Sequence, residues 1–101
     1  MPSKQYWKIE GFDGVNKTFE RLLPKGSLSE RQIVVLLQRL SARHLDEDEI
    51  VSSSLRRNAP GYRSLLEPQY SRGEHPAIII YAGRDYVARI VAADELPNHK
   101  E

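Results

Sequence analysis

Leu28-Ser29-Glu30-Arg31-Gln32-Ile33 and, seventeen residues on, Leu45-Asp46-Glu47-Asp48-Glu49-Ile50 decide the fold of this chain. Each stretch sets an apolar residue before an oxygen-bearing cap, then a Gln or Glu three residues after it. The cap oxygen accepts an orphan amide of the first helical turn, the third residue returns a bond, and the flanking apolar pair closes over the turn. Two helix starts are therefore written into the middle of the chain. After the first, Ile33, Leu36, Leu37, Leu40 and His44 recur at helical spacing, which predicts a helix over residues 30–44 with one buried face. After the second, the expected helix covers residues 47–57 and turns Ile50, Val51, Ser54 and Leu55 inward. Asn58-Ala59-Pro60-Gly61 stops it, because Pro disfavours a helical residue before it and Asn or Gly takes the left-handed cap.

Outward from these helices, each end of the chain reads as a hairpin. Residues 6–23 carry a turn signal at Asp13-Gly14, with Asn16 just after it. A two- or four-residue loop would set Trp7 and Ile9 on one face with Thr18, Glu20 and Leu22. A three- or five-residue loop groups them with Phe19 and Leu23 and brings Lys8 near Glu20 on the opposite face. The second register separates apolar from polar better, because strand faces alternate with a period of two. It leaves Arg21 on the apolar face, at the sheet margin. If the first held, Tyr6, Lys8, Lys17, Phe19 and Arg21 would share a face resembling a surface for single-stranded RNA. At the other end, Ala77-Ile78-Ile79-Ile80-Tyr81 shows no alternation and reads as a strand buried on both faces. Gly83-Arg84-Asp85 turns the chain and residues 86–93 return it, with Asp94-Glu95-Leu96-Pro97 as the stop. Residues 60–76, with three prolines and two glycines, read as an irregular connection that has at most a helical turn before Pro68.

The expected architecture is thus α+β in two layers: a mostly antiparallel four-stranded sheet, in the order β-β-α-α-β-β, packed against two helices. The two C-terminal strands are expected to be more central than the more highly charged N-terminal hairpin. Residues 1–97 form one domain and 98–101 a frayed tail, since 101 residues suffice for one modest core. The chain reads as a complete small gene product of bacterial type. Its N-terminus lacks the apolar stretch of a secretory signal, and no run approaches a bilayer span, so the expected location is cytoplasmic and away from membranes.

Composition narrows the chemistry. Without cysteine there is no disulfide framework, thiolate metal ligand or cysteine nucleophile. The histidines, His44, His75 and His99, have no zinc spacing, so no metal and no cofactor are expected. Ser52, Ser53 and Ser54 lie in no nucleophile elbow, and Gly11 and Gly14 in no phosphate loop. Asp46, Glu47, Asp48 and Glu49 point in different directions on a helix and suit its positive end. Fifteen Lys and Arg against fourteen Asp and Glu give a net charge of +1, without the overall basic excess of many nucleic-acid binders. Those four acids absorb most of the balance, and residues 50–75 carry four Arg and two Glu.

That segment holds the candidate site: Arg56, Arg57, Tyr62, Arg63, Tyr70, Arg72 and His75. Arg and Tyr are favoured at protein interfaces, and the same pair can grip phosphates and stack on bases. The plainer reading is that Tyr62 and Tyr70 pin a long connection to the core while the arginines stay solvated. The expectation is a non-catalytic interaction or regulatory module with an unidentified protein partner. Nucleic-acid binding through residues 56–75 comes second, and an enzyme with a composite pocket third. Pairing of a sheet edge would give a homodimer.

Overall fold

The N-terminal hairpin closes on a two-residue turn, Gly14-Val15, in the computed structural model, which describes residues 4–73, 76–82 and 84–93. Gly14 takes φ 65°, and among the described residues no non-glycine residue, Val15 included, has positive φ, as a type II′ turn requires. Strands β1 (Gln5–Asp13) and β2 (Asn16–Pro24) flank it. A turn of this length should put Thr18 beside Gly11, yet Gly11 pairs with Phe19 and Phe12 with Lys17. Thr18 is the extra residue of a β-bulge, which shifts the rest of β2 by one position. The expected faces therefore hold, with Trp7 opposite Leu23 and Ile9 opposite Arg21, but the bulge sets them and not a longer loop.

Next come a 3₁₀ turn at Lys25–Ser27, helices α1 (Glu30–Ala42) and α2 (Glu47–Ser54), and strands β3 (Gln69–Ser71), β4 (Ala77–Ala82) and β5 (Arg84–Ala92). All strand pairs are antiparallel, and the sheet order is β2-β1-β5-β4-β3. The sheet has five strands where four were expected, because β3 sits in the connection read as irregular. Three residues are too few to show a period. β5 does lie at the centre, but β1 is interior too, paired with β5 from Gln5 to Phe12. Arg84 and Asp85 belong to β5 and not to a wide turn. Residues 94–97, which were to stop the last strand, and the tail 98–101 lie outside the described residues.

Both capping boxes form. Ser29 Oγ accepts from Gln32 N and Gln32 Oε1 from Ser29 N, and Asp46 and Glu49 do the same for α2. Each cap of this kind is worth about 1 kcal/mol. Beyond their first turns the helices differ. On α1, Ile33, Leu37 and Ser41 are fully buried, four residues apart, along the line that meets the sheet. α1 ends two residues before His44, where His44 N and Leu45 N bond carbonyls three residues back. That tightening frees the chain to start α2 at once.

α2 departs further from expectation. It stops at Ser54 and buries no residue, and Val51 is 60% exposed. Ser53 Oγ and Ser54 Oγ donate back to the carbonyls of Glu49 and Ile50, a habit that weakens a helix already made of poor formers. With no apolar stripe against the sheet, nothing holds a further turn. One helix, not two, therefore covers the sheet.

The covered face is built in rows across the strands. Leu23, Trp7 and Ile90 form one; Arg21, Ile9, Ala88, Ile78 and Tyr70 the next; Phe19, Gly11, Tyr86 and Ile80 a third. Trp7, Ile9, Ala88, Ile78, Tyr86 and Ile80 from these rows form the core with Ile33 and Leu37, and burying one large aliphatic side chain there is worth about 1.5–3 kcal/mol. Among the described residues no element lies over the other face, so β4 alternates: Ile78 and Ile80 are buried, Ile79 half-buried and Tyr81 exposed. The expectation of burial on both faces is corrected accordingly.

Candidate functional site

The structure splits the Arg/Tyr segment into two groups. The first surrounds the end of α2. Arg57 Nη2 lies 2.6 Å from Glu67 Oε2, and Tyr62 Oη donates to the same oxygen at 3.2 Å. Loss of solvation, then the Glu67 charge, holds the Tyr62 phenol above its ordinary value, with Arg57 opposing. Arg63 Nη2 is 4.0 Å from Glu49 Oε2, and its amide bonds Ser52 O. Arg56 is exposed just beyond α2. The connection is held to the core by other residues than expected: Leu66 packs against it, and Gln38 Nε2 donates to Leu66 O at 3.0 Å. Two of the arginines thus face carboxylates, which lowers the charge they offer to a phosphate backbone.

The second group lies on the sheet edge. Tyr70 is 47% exposed on β3, with the Arg72 guanidinium 5.8 Å from its ring centre. His75 lies outside the described residues. Tyr70 faces the α1 side, since it pairs with Ile78, and there it borders a groove of about 420 Å³. Trp7, Ile78, Ala88 and Ile90 make the floor. Lys25 and Leu28 close one end, Ser29 and Glu30 at the start of α1 form a side, and Tyr70, Ser71 and Arg72 close the far end. The groove exists because α1 begins only at Glu30 and leaves the first rows of the sheet uncovered; Ile90 there is 40% exposed. Trp7 Nε1 donates to Leu28 O at 3.1 Å, fixing the indole and the segment that leads into α1.

Trp7, Lys25 and Ile90 were not among the sequence candidates. The signal available was compositional only: a Trp beside a β-branched residue in the register partner strand, with no periodicity to say that the helix would stop short of them.

The open face of the sheet is a charge lattice. Glu10 is buried, yet it receives Lys17 Nζ at 2.8 Å, Arg89 Nη2 at 3.4 Å and Lys8 Nζ at 3.7 Å. Lys17 also meets Glu20 at 2.9 Å. Tyr6, Lys8 and Lys17 do share this face, while Phe19 and Arg21 lie on the other, so the aromatic–cation surface suggested for RNA does not assemble.

A third cluster sits at the far end of α1. Tyr86 is buried, and its hydroxyl meets His44 Nε2 at 2.8 Å and accepts from Arg43 Nη2 at 3.2 Å. Burial, then the Arg84 and Arg43 charges, holds His44 below its ordinary value, against a smaller pull from Asp13.

Among the described residues no group of three or more His, Asp or Glu is placed to hold a metal ion. Nor is any helix among them long and apolar enough to cross a membrane. No family model matches the chain, and neither a curated protein nor a solved structure was found to be similar to it.

Proposed function

We propose that the protein is a non-catalytic interaction module that docks a segment of a partner protein in the groove between the start of α1 and β3. The supporting observation is the groove itself: an apolar floor over three strands, exposed at Ile90 and Tyr70, with polar groups only around its rim. Its volume lies within the range of about 300–1,000 Å³ that binding clefts occupy. Aromatic and Arg side chains at such a rim are the types that dominate interface energetics. Tyr70 and Arg72 keep their candidate role in this reading. Arg56, Arg57, Tyr62 and Arg63 become a packed connection, neutralised in part by Glu49 and Glu67.

Affinity capture with wild-type protein, Tyr70→Ala and Arg57→Ala/Arg63→Ala tests the assignment. A protein retained by the wild type should be lost, by about tenfold or more, on Tyr70→Ala and kept by the double variant. Loss on the double variant alone, or retention of nucleic acid in a salt-sensitive manner, would move the function to residues 56–63.

A further inference from the structure

The groove's charges and dimensions narrow the kind of segment that fits it, granted the docking role just proposed. The charged residues that line it are Lys25, Arg72 and Glu30. A neighbouring hollow shares Lys25 and adds Lys4. Among the described residues, two cations and one anion line the groove and a third cation stands in the hollow beside it, in a chain whose net charge is only +1. Arg57, Arg63, Lys8 and Lys17 all lie within 4.0 Å of a carboxylate, whereas among the described residues neither Lys25 nor Arg72 does.

The cations are also spaced. Lys25 lies in the 3₁₀ turn that packs on β1, and Arg72 directly follows β3. β1 and β3 are three strand intervals apart in the sheet, or roughly 14 Å at about 4.8 Å each. β5, with Ala88 and Ile90, runs between them. An extended segment rises roughly 3.3 Å per residue and turns alternate side chains to the same side. Its first, third and fifth side chains thus share one face, over roughly 13 Å from first to fifth.

We infer that the groove takes an extended acidic segment of a partner protein with the pattern acid–x–apolar–x–acid. The central apolar side chain rests on Ile90, Ala88 and Trp7. One flanking carboxylate meets Lys25 and the other meets Arg72. Both ion pairs are solvent-exposed, so each adds a modest increment, and apolar burial supplies the rest.

Trp7 is the single Trp of the chain and lies in the groove floor, so its emission reports occupancy. The probe is a decapeptide library with a Glu-x-Leu-x-Glu core, beside matched Gln-x-Leu-x-Gln and Lys-x-Leu-x-Lys libraries. The acidic library should shift Trp7 emission and bind about five- to tenfold more tightly than the Gln library at low salt, a gap that narrows as salt rises. Lys25→Glu/Arg72→Glu, with unchanged far-UV circular dichroism, should transfer the preference to the Lys library. Equal binding of acidic and Gln libraries by the wild type would overturn the charge pattern while leaving an apolar docking groove. No binding by any library would remove the groove reading as well. A Trp7 shift on self-association without peptide, or tighter binding of a single-stranded oligonucleotide, would overturn the proposed occupant.

Discussion

Gly11 is a glycine because of Tyr86. A Cβ at position 11 would stand 2.7 Å from Tyr86 Cε1 and 3.2 Å from Phe19 Cβ. The ring has little room to give way, with its hydroxyl held by His44 and Arg43 and Phe19 edge-on at 6.4 Å. Gly11→Ala should therefore destabilise the fold by about 1–3 kcal/mol, the usual range for overpacking, with a lower urea midpoint at unchanged slope. An unchanged midpoint would mean that the ring can shift after all. Nothing in the sequence marks this position. Gly11 belongs to no phosphate loop and lies outside the Asp13-Gly14 turn signal, and the contact that explains it is with a residue seventy-five positions away. Cap residues are legible by contrast, since Ser29 and Asp46 act on amides within their own turn.

At the scale of elements, the bulge at Thr18 turns a two-residue hairpin into a sheet with one apolar and one charged face. It also brings Glu20 to the open face, directly opposite Glu10, where Lys17 meets both carboxylates, which would otherwise repel. The hydrogen bonds it donates to these two carboxylates hold Lys17 above its ordinary 10.5, and Lys17 in turn holds Glu20 below its ordinary 4.5. The depressed Glu20 stabilises the fold above 4.5 and loses that effect as pH falls through its lower folded value. The raised Lys17 stabilises it below 10.5 and loses that effect as pH rises through its higher folded value. Lys17→Met should thus lower stability between these limits, by about 1 kcal/mol, because the Glu20 pair is exposed and screened by salt and the buried Glu10 keeps Lys8 and Arg89. Chemical denaturation across pH should show the two proteins converging at both extremes; a constant offset would point to lost packing instead. The face assignment of Phe19 and Leu23 was readable because apolar residues must share a side. The bulge was not readable, since a longer loop predicts the same faces.

At the scale of the molecule, two hairpins meet at β1 and β5 in one sheet, and a single helix covers part of one side, in a body of 52 × 25 × 23 Å. The α+β class was legible because caps and hairpin signals are local. The role of α2 was not, since Ile50, Val51 and Leu55 have a helical spacing, yet Val51 and Leu55 are exposed and Ile50 only half-buried. Nor was the groove, whose floor comes from β1, β4 and β5 and whose far wall comes from an unforeseen strand. Of the seven candidate residues, Tyr70 and Arg72 stand at that wall; four pack around the end of α2 or just beyond it, and His75 is outside the described residues. The most direct test of the docking groove is an amide and indole chemical-shift titration of ¹⁵N-labelled protein with the Glu-x-Leu-x-Glu peptides. The predicted result is a set of shifts at the Trp7 indole, Ser29, residues 70–72, Ala88 and Ile90. Shifts centred on Arg57, Tyr62 and Arg63, with the Trp7 indole unmoved, would contradict it.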